Sequence, residues 1–254
     1  MTSLRPATLF LVALVLLLCS CRQQATVPEA ENEADTVATA PPPASPAPTP
    51  ADTPTESKLR AFGLVDIHDL DSSILVNLAY ASPDNFLGCV LYHDLHKAFF
   101  LPQLATKIAA AQSSLRHCRP DLTLVILDAA RPLSVQRLMF HKVRGTPLNI
   151  YVANPVKGPG LHNYGAAVDA TLADTNGNLL PMGSDFDHFG PESHTNNEQE
   201  LLSSGRITQQ EFDNRRLLRS IMRQQGLLHL HSEWWHFSLM SRQKANQTLT
   251  PIDI

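Results

Sequence analysis

The chain of 254 residues has no basic run, and its formal net charge is only -4. That removes the electrostatic footprint by which proteins hold nucleic-acid phosphates, so no nucleic-acid partner is expected. No HExxH stretch occurs, which excludes the helical pair of histidines with an intervening general base. No internal repeat is visible, which excludes solenoids and arrays. Cysteine is scarce: of four, Cys19 and Cys21 lie at the end of the first apolar run. Only Cys89 and Cys118 remain, as one disulfide or as two buried free thiols, which is too few for a disulfide-built scaffold. The one long apolar run, "ATLFLVALVLLLCSC", is short for a membrane span, which takes about 20 residues.

That run follows Arg5 and has the shape of a bacterial export signal: a short positive region, an apolar core and a small residue before the cut. Its end, "LCSC", resembles a lipobox, in which Cys21 after the small Ser20 is the expected lipidation site; an ordinary cleaved signal is the alternative. Residues 1–21 are therefore expected to be a signal peptide and the mature protein to be extracytoplasmic, in the periplasm, on a lipid anchor in the membrane. Residues 22–57 are rich in Pro, Ala, Thr and Glu and poor in large apolar side chains. Such a segment cannot bury enough surface to offset its ordering entropy and reads as a disordered tether. Residues 58–254 are long enough for one domain with a sizeable core.

Within that domain, "SSILVNLAYA" (72–81) predicts a strand and "SPDNFLG" a loop. Leu104, Ile108, Ala111 and Leu115 recur at helical spacing, predicting a helix over 101–116. "DLTLVILDAA" (121–130) is a strongly apolar strand, and "RPLSVQRLMFHKV" turns into a second helix. "GAAVDATLAD" predicts another strand, closed by the turn signal "DTNGN". Thr208 and Glu211 form a capping-box pattern; Leu218, Ile221 and Met222 give the helix an apolar face, and Gly226 a stop. "LLHLHSEWWHFSLM" has strand character. The mixed order implies an α+β fold with a central, largely antiparallel sheet flanked by helices.

The chemistry-bearing residues raise a question. Asp169 stands in an apolar strand, and a buried carboxylate needs a partner, of which a metal ion is one. His162 lies seven positions earlier, across Gly165; Glu233 and His236 share "SEWWHF"; Arg131 follows a strand end; "PMGSDFD" contributes Asp185 and Asp187. A hydrolytic zinc site takes three N or O ligands and keeps one position open, and His162, Asp169 and His236 would supply that set. Glu233 is placed to take a proton from the attacking water, and Arg131 to meet charge developing on the attacked carbonyl oxygen. Each pattern is common by itself. Periodicity leaves open whether Glu233 and His236 face the same way: on a helix they would, on a flat strand they would not.

"HNYGAAVD" fits the HxxGxAxD pattern of zinc D,D-peptidases, and "EWWH" fits their second motif. "YASPDNFLG", "PMGSDFD" and "NRRLLRSIM" resemble in particular the D-alanyl-D-alanine dipeptidases, in the same order, from Tyr80 to Phe237. The resemblance implies hydrolysis of D-alanyl-D-alanine with one Zn2+ per chain. It implies His162, Asp169 and His236 as zinc ligands, Glu233 as base and Arg131 as transition-state stabiliser. Asp187 would receive the substrate's free amino group, and Tyr80 would line the site. Two positions depart from the pattern: Gly160 replaces the usual serine, and "DAAR" replaces "DGYR". Rival readings are a D,D-carboxypeptidase or endopeptidase on peptidoglycan peptides and a non-catalytic zinc-bearing binding module. His229 and His231 are expected to be surface or hydrogen-bonded histidines, Trp234 and Trp235 core and wall residues, and the "NRRLLR" arginines a solvated helix face.

Overall fold

The structure is a computed structural model and describes residues 51–254; the signal peptide, Cys21 and residues 22–50 of the tether lie outside the described residues. The folded domain starts earlier than Lys58. Helix α1, Pro54–Ala61, is opened by Thr53, whose hydroxyl accepts from Glu56 N–H while the Glu56 carboxylate accepts from Thr53 N–H. This reciprocal cap, with proline at the first turn, is a helix start within what reads as linker composition. Glu56 is buried and also accepts from the backbone N–H of His96 (2.9 Å) and Lys97 (3.1 Å), so residues 54–57 belong to the domain rather than to the tether.

Strand β1, Val65–Asp66, pairs antiparallel with the later β3, Phe99–Phe100, in a small separate sheet; β2, Leu75–Val76, lies between them in sequence. The expected strand over 72–81 is thus reduced to two residues. Beyond Val76 the chain breaks into a 3-10 turn, Ala79–Ala81, where the carbonyl of Tyr80 accepts from Leu91 and Tyr92 N–H, each at 2.9 Å. Helix α2, Pro102–Cys118, buries Leu104, Ile108, Ala111 and Leu115, the stripe its spacing predicts. There follow β4, Leu122–Asp128; α3, Leu133–Val143; β5, Ala167–Asp174; α4, Glu198–Ser203; α5, Gln209–Gln224; β6, Leu228–His229; β7, His236–Ser238; and α6, Arg242–Thr248.

The main sheet has the order β2-β4-β5-β7-β6, antiparallel throughout except for the parallel β2–β4 edge pair. The α+β expectation of a largely antiparallel sheet holds. β4 and β5 are buried almost end to end, the signature of strands covered on both faces rather than one. Helix α5 starts at the predicted Thr208–Glu211 capping box and stops before Gly226, whose φ of 73° ends the helix in the left-handed region.

Two expectations fail. Cys89 and Cys118 are free, with Cys89 half-buried and Cys118 exposed at the end of α2, so they are neither a disulfide nor two buried thiols. The α5 arginines are not all solvated: Arg215 is 1% exposed. Its Nε donates to the carbonyl of Met182, and its guanidinium lies 5.9 Å from the Trp234 ring. Arg215 therefore anchors the segment leading to Asp187, a task for which its flat cationic fork is suited.

Candidate active site

Strand register does most of the assembly. β5 and β7 pair so that Asp169 stands directly opposite His236, and cross-strand neighbours on one face are within reach of each other. His236 Nδ1 lies 2.9 Å from Asp169 Oδ1. His162 arrives from a 3-10 turn, Leu161–Tyr164, that Gly165 closes at φ 65°. The left-handed backbone at Gly165 favours glycine, and a Cβ there would also press on the Leu64 side chain at 2.9 Å and the Leu101 nitrogen at 3.3 Å.

His162 Nδ1 lies 2.9 Å from the carbonyl of Ala129, which can only accept. Nδ1 therefore carries the proton and Nε2 presents its lone pair, the usual arrangement by which an outer hydrogen bond sets a ligand's tautomer. That Nε2 is 3.3 Å from His236 Nδ1 and 3.4 Å from Asp169 Oδ1. Ligand atoms at about 2.0–2.2 Å from a tetrahedral ion stand about 3.3–3.6 Å apart. Two edges of the triangle match this and the third, His236 Nδ1 to Asp169 Oδ1, is tighter at 2.9 Å, so the three atoms are grouped closely enough to share one small divalent cation. Among the described residues this is the one group of three such side chains that could hold a metal ion. Burial alone would raise the Asp169 pKa, but the His162 and His236 imidazoles outweigh it and hold the carboxyl well below the usual range. Burial likewise pulls His162 down, and the Asp169 and Asp128 carboxylates more than reverse it.

Glu233 sits in the turn before β7. Neither a helix nor a flat strand carries it: the turn through Trp234 and Trp235 folds its Oε2 to 3.9 Å from His236 Nδ1. Desolvation pushes its pKa up, with the charge on Asp169 adding to this and His236 opposing it. A carboxylate with a raised pKa this close to the triad is equipped for proton transfer.

Arg131 follows β4 and is buried in the cavity wall. Its Nη2 donates to Asp128, its Nη1 to Gln136 Oε1 at 3.0 Å, and its guanidinium lies 5.0 Å from the Tyr80 ring centroid. Nε has no partner in the protein, an N–H that a charged oxygen in the cavity would satisfy. Asp128, Tyr92 and Gln136 were not singled out in the sequence. Asp128 is fully buried and accepts from Tyr92 Oη at 2.6 Å as well as from Arg131. The reasoning that singles out Asp169, a carboxylate in an apolar strand, applies equally to Asp128 at the end of "LTLVILD". Gln136 also donates to the carbonyl of Ala153 at 2.9 Å, tying Arg131 to the cavity's far wall.

Asp187 is, among the described residues, the non-glycine residue with positive φ, 58°. This conformation is tolerated by aspartate and uncommon enough to mark a functional position. It aims the carboxyl at Tyr80, whose hydroxyl donates to Oδ2 at 2.9 Å. Burial and the charge on Asp169 push the Asp187 pKa up to about 8 against the pull of Tyr80, so this carboxyl lacks a cationic partner. Its neighbour Asp185 is exposed and does not line the cavity. His229 and His231 face each other at 5.0 Å, away from the triad. Trp235 is both core and cavity wall, whereas Trp234 donates to Ser184 Oγ at 2.9 Å.

Tyr80, Arg131, His162, Asp169, Asp187, Glu233 and His236 all line one cavity of about 160 Å3. Gly160 and Leu161 line it too, so the departure at Gly160 removes a side chain from the wall.

A triad able to hold a cation, with a carboxylate beside it and a buried guanidinium in the same cavity wall, is the equipment of a metallopeptidase. The chain belongs to the D-Ala-D-Ala dipeptidase family of peptidases, whose model matches residues 60–252. It is 35% identical over 180 residues, 69% of this chain and 84% of the relative, to D-alanyl-D-alanine dipeptidase of Escherichia coli (strain K12). The dipeptidase of the same name from Synechocystis sp. is 30% identical over 162 residues, 52% of this chain and 65% of that protein. That of Enterococcus faecium is 40% identical over 87 residues, 34% of this chain and 39% of its own length.

Proposed function

We propose that the protein hydrolyses D-alanyl-D-alanine to two molecules of D-alanine, using one zinc ion held by His162, Asp169 and His236. The observation that carries the reading is the conjunction, in one cavity of about 160 Å3, of that triad with Glu233, Arg131 and the unpaired carboxyl of Asp187. A zinc ion held by His162, Asp169 and His236 would supply Lewis acidity, which would lower the pKa of a water to about 7 and polarise the scissile carbonyl. Glu233 takes a proton from the attacking water and passes it to the departing amine, so one water is consumed per peptide bond cleaved. Arg131, oriented by Asp128 and Gln136, presents its guanidinium to the oxygen on which charge builds. Asp187, held by Tyr80, receives the substrate ammonium, a counter-charge that would offset the burial that raises its pKa.

The cavity is small, about 160 Å3, and is lined by the Asp187 carboxyl and the Phe86 ring, which favours a dipeptide over a peptidoglycan strand. An anchor at Cys21 and a tether would place the activity in the cell envelope; replacing Cys21 by serine would then abolish lipid labelling and release the protein into the soluble fraction. The function is tested by measuring D-alanine release from D-alanyl-D-alanine and from a pentapeptide ending in the same pair. Rapid zinc-dependent release from the dipeptide alone supports this reading. Release from the pentapeptide at an equal rate would favour a carboxypeptidase, and release from neither a binding module.

A further inference from the structure

Residues between Asn77 and Phe86 also line a second concavity of about 610 Å3, walled by Asp84, Asp185, Leu179 and Phe186. Among the described residues, Phe86 and Asp187 alone line both this groove and the catalytic cavity. Asp187 accepts from the Tyr80 hydroxyl and is the carboxyl assigned to the substrate ammonium. Phe86 is an apolar ring, and it is braced from two sides. It meets Phe189 edge-on at 5.0 Å and 85° and Tyr80 at 6.4 Å and 76°. Phe189 in turn stacks on Tyr151 at 4.5 Å and 24°, and the Tyr151 hydroxyl donates to the Phe189 carbonyl at 2.9 Å. Interlocked rings of this kind hold their geometry better than an isolated side chain.

We propose that Phe86 is the partition that determines specificity for dipeptides, separating the catalytic cavity from a groove able to take an amino-terminal extension. The proposal rests on the dipeptidase reading. The groove has the right chemistry for such an extension: the carboxylates of Asp84 and Asp185 suit a chain that begins with an ammonium group, and Leu179 and Phe186 supply apolar wall. With the ring gone, the extended peptide passes beside Asp187. That carboxylate then accepts an amide N–H instead of an ammonium.

The test uses the zinc-loaded full chain as wild type, Phe86→Ala, the milder Phe86→Leu, and Phe86→Ala combined with Leu179→Trp, which adds a bulky ring to the lining of the groove. D-Alanine release is measured from D-Ala-D-Ala and from L-Lys-D-Ala-D-Ala, with zinc content and thermal melting to verify folding. In Phe86→Ala the kcat/KM ratio of tripeptide to dipeptide rises at least about tenfold, the scale set by one apolar pocket contact. It rises less in Phe86→Leu and falls back in the double variant. An unchanged ratio in folded Phe86→Ala overturns the proposal, as does a raised ratio that Leu179→Trp fails to reduce. If Phe86→Ala does not fold, an unchanged ratio in Phe86→Leu overturns it equally. Failure of the wild type to cleave D-Ala-D-Ala is a separate result, which would overturn the dipeptidase reading itself.

Discussion

At one end of the cavity, Asp169 and His236 stand on adjacent antiparallel strands, and their separation is a consequence of register. At the other end, Tyr80, Phe86, Tyr151, Asp187 and Phe189 come from loops and short turns, positioned by ring contacts and side-chain hydrogen bonds. A one-residue slip in β5 would turn Asp169 to the opposite face, so the first end tolerates almost no local change. The second end can alter ring by ring without disturbing the sheet. Two of the three triad side chains thus stand on the rigid sheet, whereas the residues at the cavity's other end stand on loops, which carry variation more readily.

Substitutions can break this contrast in a graded way. Glu233→Ala removes the base without touching a strand pair; kcat is expected to fall by about 10²–10⁴-fold while zinc content stays at one per chain. Near-normal turnover would refute the assigned role. Arg131→Ala is expected to lower kcat/KM by about 10²–10³-fold with zinc again retained. It also leaves the buried Asp128 without its cation, so a loss of stability on the order of 3–5 kcal/mol should accompany it in denaturant titrations. Unchanged stability would mean that the Asp128–Arg131 pair does not brace this wall.

Asp187→Asn addresses the loop end. The KM for the dipeptide should rise more than kcat falls, because the lost interaction is with the substrate's ammonium group. A pH series on zinc-free protein sharpens the assignment. Since the folded pKa of Asp187 is raised to about 8, the folded state holds a proton there that the unfolded chain releases near pH 4. Wild-type stability from this group is full below about pH 4 and lost as pH rises to about 8, whereas Asp187→Asn lacks that slope. The variant should match wild type at low pH and exceed it above pH 8; parallel stability curves would contradict the assignment. The smallest effect lies outside both regions: Thr208→Ala removes the cap of α5 and should cost about 1 kcal/mol, or about 2–4 °C in Tm, with kcat/KM unchanged.

The long elements were legible because their signals are local. The stripe of α2, the Thr208–Glu211 box of α5 and the apolar runs of β4 and β5 each specify one element without outside help. Helix α1 was missed for the opposite reason. Its start signal, Thr53-Pro54-Thr55-Glu56, is embedded in linker-like composition, and the burial of Glu56 depends on the distant His96–Lys97 backbone. At the site, the convergence of Glu233 with His236 required a turn that no periodicity describes, and that of His162 with Ala129 a long-range contact. Asp128 could have been found, since a carboxylate ending an apolar strand announces a buried partner. Arg215 could not: its neighbours on α5 are arginines of the same kind, and only the fold decides which one turns inward.

The most direct test of the central claim is the zinc stoichiometry of His162→Ala beside that of the wild type, measured by elemental analysis on folded, dialysed protein. Three side chains converging on one cation predict about one zinc per chain in the wild type and nearly none in the variant. A variant that retains its full complement of zinc would show that the ion is held elsewhere.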